Sequence, residues 1–125
     1  MKFDQFVDLV AQRANVPRDR AQALTDATLR TLADRITGGE ARDLAAQLPE
    51  ELKPSLSGAA ETAEAFSRKE FVRRVAERAS LDEDAARDGA RAVMVTLREA
   101  VTTGEWDDIT SQLPEDFNEL VGTTS

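Results

Sequence analysis

The sequence predicts an all-α protein: two pseudo-symmetric four-helix repeats, eight helices in all, packed as one compact helical domain. Three observations carry this expectation. Alanine, leucine, glutamate, arginine and glutamine dominate the 125 residues, whereas aromatic residues make up only 5% and β-branched residues are sparse; such a mixture favours helix over sheet. Apolar residues recur at three- and four-residue spacing, the period of one helix face. The chain also matches itself. Shifted by 65 positions, residues 6–56 meet residues 71–121 without a gap, with 19 identical pairs in 51 positions. Chance gives only a few such identities, so the pattern reads as an internal duplication.

The expected organisation is a first repeat over residues 1–56, a linker over 57–66, a second repeat over 67–121 and a tail over 122–125. A repeat of about 55 residues is marginal by size, which favours one shared core over two tethered lobes. The first helix carries Phe3, Phe6, Val7, Val10 and Ala14 as an apolar stripe, matched by Phe71, Val72, Val75 and Ala79. Ser67 with Glu70 forms a capping box, and Phe66 with Phe71 has the spacing of a hydrophobic staple, so a new helix is expected to start at Ser67. A second helix is expected from about Pro17 to Ile36, and again from Asp82 to Val101, with Leu29/Met94, Leu32/Leu97 and Ile36/Val101 turned inward. Leu24 aligns with Gly89 in mid-helix, where glycine costs about 1 kcal/mol relative to alanine. The two second helices are therefore expected to approach each other there.

Gly39 and Gly104 stand where a helix is expected to end in a left-handed turn. A short third helix follows, with Leu44 and Leu48, or Ile109 and Leu113, on its inner side and Ala41 matched by Trp106. It must stop at the repeated phrase "QLPEEL" (47–52) and "QLPEDF" (112–117). Proline disfavours helical geometry in the residue before it and suits the first turn of a new helix. The phrase thus reads as a corner between two short helices, the second carrying Leu52/Phe117 and Leu56/Val121.

Composition bounds function. There is no cysteine and no histidine, which removes thiolate chemistry, the commonest general base and the commonest metal ligand. The N-terminal stretch does not read as a signal peptide and no apolar run approaches membrane-spanning length, so a cytoplasmic protein without a membrane partner is expected. Net charge is −8, which disfavours nucleic acid as a partner. Charge is segregated, however. Residues 105–119 hold Glu105, Asp107, Asp108, Glu115, Asp116 and Glu119 without Lys or Arg, while Arg68, Lys69, Arg73, Arg74 and Arg78 cluster in one helix.

A duplicated unit with "VPRDRAQALTDATLRTLADRI", then Gly-Glu, then "AAQLPEEL", resembles the bacterial family called domain of unknown function 2267. The resemblance covers nearly the whole chain, with Asp82 in place of Pro17 and Ser111 in place of Ala46 in the second copy. It implies a small helical cytoplasmic protein and brings no reaction, cofactor or catalytic residue.

No catalytic, cofactor-binding or metal-ligating set is expected from the residues themselves. Asp34/Glu99, Glu40/Glu105 and Asp43/Asp108 recur in both copies and are read as solvated charge at helix ends. "DEDAARD" (82–88) lacks the ligand and turn glycine of a calcium loop. The expected function is that of a non-enzymatic protein-interaction or regulatory module. The alternative is a nucleic-acid-associated regulator using the basic helix 68–78, and a third reading is a small-ligand-binding or carboxylate-based enzyme. The candidate interaction surface comprises Trp106, Glu105, Asp107, Asp108, Lys69, Arg73 and Arg74. Trp106 is weighed as core against partner anchor, and core is the expectation because large aromatics are scarce. The aligned pairs Asp4/Lys69 and Asp8/Arg73 invert charge between copies, which suggests faces that complement each other within or between molecules. Monomer and homo-oligomer both stay open at this point.

Overall fold

The computed structural model describes residues 1–58 and 62–121, and the described part is all-α. The tail at 122–125 and positions 59–61 of the expected linker lie outside the described residues. In chain order the elements are α1 (Phe3–Ala14), α2 (Arg18–Arg35), α3 (Gly38–Ala46), a 3₁₀ helix (Glu50–Leu56), α4 (Arg68–Ala79), α5 (Glu83–Ala100), α6 (Thr103–Thr110), a 3₁₀ turn (Glu115–Phe117) and α7 (Asn118–Val121). The last two run on from one another, so eight helical segments are present among the described residues. α1 and α4 are each 12 residues long, and α2 and α5 are each 18.

Each element forms where local chemistry favours it. The stripe of α1 buries Phe6, Val7 and Val10, and that of α4 buries Phe71, Val72, Val75 and Ala76. Ser67 caps α4 by accepting a hydrogen bond from the Glu70 amide, and the Phe66 and Phe71 rings lie 6.5 Å apart as a staple. Both first helices end at a residue in the left-handed conformation, Asn15 at φ 56° and Ser80 at φ 57°. The next amides, of Val16 and Leu81, then bond back to Ala11 and Ala76.

Gly39 and Gly104 do not end helices. They lie in the first turns of α3 and α6, because α2 and α5 stop one step earlier, at Ile36 and Val101 in extended geometry. Thr37 and Thr102 then cap the next helix by accepting from the Glu40 and Glu105 amides at 3.3 and 3.2 Å. The side-chain cap sets the boundary, and the glycines follow it. After the Gln-Leu-Pro corner the two segments differ. Pro54 sits inside Glu50–Leu56, where its missing N–H and its restraint on Lys53 fit a 3₁₀ helix. Glu119 stands at the matching position, and the chain continues there as α7.

The core is one cluster that draws on both segments, from Phe6, Leu24 and Ile36 to Phe71, Leu97 and Ile109. α1 packs against α5 as well as α2, and α2 packs against α4 and α5. The approach expected at Gly89 is present. A Cβ at that position would lie 2.4 Å from Leu24 Cδ2, so the missing side chain makes room for the leucine aligned with it.

Candidate functional site

The residues proposed from sequence as an interaction surface separate into three environments. Trp106 is buried at 5% exposure, filling α6 where α3 has the equally buried Ala41. It is core, and the partner-anchor reading is set aside because so little of the side chain is accessible. Glu105 is also buried, at 7% exposure, which corrects its reading as solvated charge. Asp107, Asp108, Lys69 and Arg73 are exposed, and Arg74 is half-buried.

The arginines of α4 are committed within the molecule, whereas exposed Lys69 makes no ion pair among the described residues. Arg73 pairs with Glu70 and Glu77, at 2.7 and 3.0 Å. Arg74 reaches Glu70, Glu64 and Asp34, and its guanidinium lies 4.0 Å from the Phe66 ring centroid. Arg78 pairs with Asp34 and Arg68 with Glu119. These guanidinium groups hold the Glu70 carboxyl down at about 2, chiefly through hydrogen bonds from Arg73 and then Arg74. Asp4 and Asp8 are both engaged by Arg18. The faces of opposite charge are thus each neutralised locally; no ion pair joins Asp4 or Asp8 to Lys69 or Arg73.

A second polar system links the first segment to the second in both directions. Arg13 donates to Thr96 at 3.0 Å and pairs with Glu99, while Arg78 donates to Thr31 at 2.9 Å and pairs with Asp34. The Thr102 amide donates to Gln47 Oε1 at 2.8 Å, and the Thr37 amide donates to Gln112 Oε1 at 3.0 Å. These are the glutamines that open the repeated phrase. Each caps a helix of the other segment, a role that spacing within one segment does not reveal.

The glutamines change what Glu40 and Glu105 can do. Thr37-Gly-Gly-Glu40 and Thr102-Thr-Gly-Glu105 have capping-box spacing, in which the glutamate reaches back to the amide of the cap residue. Here Gln112 and Gln47 already hold those two amides. Released from capping, Glu40 and Glu105 meet where α3 packs against α6. Carboxylate oxygens of Glu40, Asp43 and Glu105 lie within 4.8 Å of one another. Glu40 Oε1 and Glu105 Oε2 are buried without a hydrogen-bond donor. Burial first, then a hydrogen bond with Glu40 and the charges of Glu40, Asp43 and Asp108, push the Glu105 carboxyl up to about 8. Composition and spacing missed this cluster because it needs the packing of α3 on α6. The recurrence of Glu40/Glu105 and Asp43/Asp108 was its one visible trace.

Two grooves lie elsewhere. One of about 480 Å³ is lined by Ala41, Ala45 and Leu56 with Arg42 and Lys53, and another of about 630 Å³ by Arg13, Asn15, Asp88 and Arg91. Neither is lined by the three clustered carboxylates.

The family match covers residues 3–120, from the start of α1 into α7. The chain belongs to the DUF2267 family of uncharacterized conserved proteins. No curated protein matches it. The DUF2267 match agrees with the resemblance carried by the long second helix and the Gln-Leu-Pro-Glu phrase. Membership fixes no reaction, so function in this DUF2267 chain rests on its geometry. No helix among its described residues is long and apolar enough to cross a membrane.

Proposed function

We propose that the protein is a non-enzymatic helical module that docks a positively charged protein segment on the acidic face of α6 and the corner after it. One contrast carries the reading. Arg68, Arg73, Arg74 and Arg78 are held in ion pairs, whereas exposed Asp107, Asp108 and Glu115 pair with no Lys or Arg among the described residues. With no Lys or Arg over residues 105–119 and a net charge of −8, the potential that this face offers a partner is negative. It favours a basic segment and opposes the approach of phosphates. The clustered Glu40, Asp43 and Glu105 face each other between helices instead of lining either groove described above, which speaks against carboxylate-based catalysis. A cytoplasmic setting belongs to the same proposal.

We also read the two segments as copies of one unit. The reciprocal contacts of Arg13/Arg78, Thr31/Thr96 and Gln47/Gln112 support this, since in the 65-residue register the same residue types sit at both ends of each contact.

Fluorescence polarisation with a labelled lysine-rich peptide and a labelled DNA duplex tests the docking reading. The peptide should bind with an affinity that falls steeply as salt rises. The double variant Asp107→Asn/Glu115→Gln should weaken it several-fold. Retention of the duplex, abolished by Lys69→Glu with Arg73→Glu, would overturn the proposal in favour of nucleic acid.

A further inference from the structure

We propose that Glu40, Asp43 and Glu105 form a binding site for one hard divalent cation, of the Ca²⁺, Mg²⁺ or Mn²⁺ class, clamping α3 to α6. The inference is independent of the docking face. Acidic clusters are common on surfaces, but this one contains a glutamate more than nine-tenths buried, which brings a carboxylate oxygen within 4.8 Å of those of two other carboxylates and whose Oε2 has no donor to satisfy it. Glu40, half-buried on the opposite helix, likewise has a buried oxygen, Oε1, without a donor. Ionised carboxylates are acceptor-only, so buried oxygens that face one another need a proton or a cation between them, and a bound cation displaces the proton.

The cap amides do not supply one. In a capping box each glutamate would accept from the amide of its own cap residue, yet the Thr37 and Thr102 amides are taken by Gln112 and Gln47. Those glutamines thereby turn two capping glutamates into facing ligands. Asp43 stands one turn beyond Glu40 and is exposed, which places a ligand at the solvent edge and leaves a path of entry. Asp108, at the matching position on α6, adds its charge to the same spot.

The ligand set decides the class of ion. All three donors are carboxylate oxygens, and the chain has no histidine or cysteine to favour zinc or copper. The three oxygens span no more than 4.8 Å. Oxygens that close can share one ion; Ca²⁺ tolerates irregular shells of six to eight oxygens, while Mg²⁺ demands near-octahedral geometry at about 2.0–2.1 Å. Ca²⁺ is therefore expected to bind more tightly than Mg²⁺. Water completes the shell on the side of Asp43.

The test uses the full chain stripped with chelator and titrated separately with CaCl₂, MgCl₂ and MnCl₂. Calorimetry should find one site per chain, and Mn²⁺ should lose its free-ion paramagnetic resonance signal at the same stoichiometry. Glu105→Gln keeps the shape of the side chain and should weaken binding at least tenfold. Asp43→Asn, at the exposed edge and outside the core, should weaken it several-fold without disturbing the fold. Asp107→Asn/Glu115→Gln should bind the cation as wild type does while losing the basic peptide. The proposal fails if no ion binds at millimolar concentration, if Glu105→Gln and Asp43→Asn bind like wild type, or if the Asp107→Asn/Glu115→Gln variant loses as much.

Discussion

At the scale of the residue, Glu105 and Gly89 carry the sharpest consequences. The Glu105 carboxyl, ordinarily near 4.5, is raised to about 8 by burial and by Glu40, Asp43 and Asp108 around it. Between those values the folded chain keeps a proton that the unfolded chain has released, so stability falls as pH rises through that window. Below it the contribution is fully present, and above about pH 8 the loss levels off. Urea unfolding in chelator from pH 5 to 9 should show this decline, and Glu105→Gln should flatten it; an unchanged slope in the variant would refute the assignment. Glu70 acts in the opposite sense. Its carboxyl is held near 2 by Arg73 and Arg74, so its contribution is present at neutral pH and is lost only as pH drops below the usual carboxylate range. Gly89 tests packing. Alanine there gains about 1 kcal/mol of helix propensity, but its Cβ would meet Leu24 at 2.4 Å in a core where Leu24 is 1% exposed. Overpacking of this kind costs about 1–3 kcal/mol, so Gly89→Ala should lower stability by roughly 1 kcal/mol on balance. Pairing it with Leu24→Ala should give a loss smaller than the sum of the single losses, measured as a double-mutant cycle by chemical denaturation.

At the scale of the element, the helices were legible and their joints only partly so. Phe6, Val7 and Val10 announced α1, and Ser67 with Phe66 announced the start of α4, because those signals lie within a few residues of the element they describe. Gly39 and Gly104 misled because glycine can follow a stop or sit in a first turn, and the deciding residues were Thr37 and Thr102. The cluster of Glu40, Asp43 and Glu105 could not be read locally, since its members are 62 to 65 positions apart across α3 and α6. The Gln-Leu-Pro corner shows the same limit. Its leucine and proline are explained by the turn, but its glutamine is explained only by a helix in the other segment. Gln112→Ala leaves the Thr37 amide without its partner, and Gln47→Ala does the same to the Thr102 amide. Each single change should lower stability by about 1 kcal/mol. The pair also guides Glu40 and Glu105 away from their own caps. Removing a glutamine should therefore let that glutamate return to its cap and weaken Mn²⁺ binding, which the resonance titration would report. Loss of stability with cation affinity intact would separate capping from the site.

At the scale of the whole molecule, the question is whether 1–56 and 67–121 unfold together. Size argues that neither segment can stand alone. The contacts argue the same more directly. α1 lies on α5, α2 lies on α4 and α5, and Arg13 and Arg78 each reach a threonine of the opposite segment. Breaking the core at one end therefore removes the surface against which the other end is buried, which predicts one cooperative transition. The chain supplies its own probes. Trp106, the one tryptophan, is buried in α6 and reports on the second segment, whereas far-ultraviolet circular dichroism reports on both. Val10 and Val75 occupy matching positions in α1 and α4 and are fully buried. Val10→Ala and Val75→Ala should each lower stability by roughly 1–3 kcal/mol through lost burial and the cavity left behind. With a shared core, Val10→Ala must move the Trp106 fluorescence transition as far as it moves the dichroism transition, although the mutation lies in the other segment. If the fluorescence midpoint stayed at its wild-type value while dichroism split into two steps, the segments would be independent lobes and the shared core would be wrong.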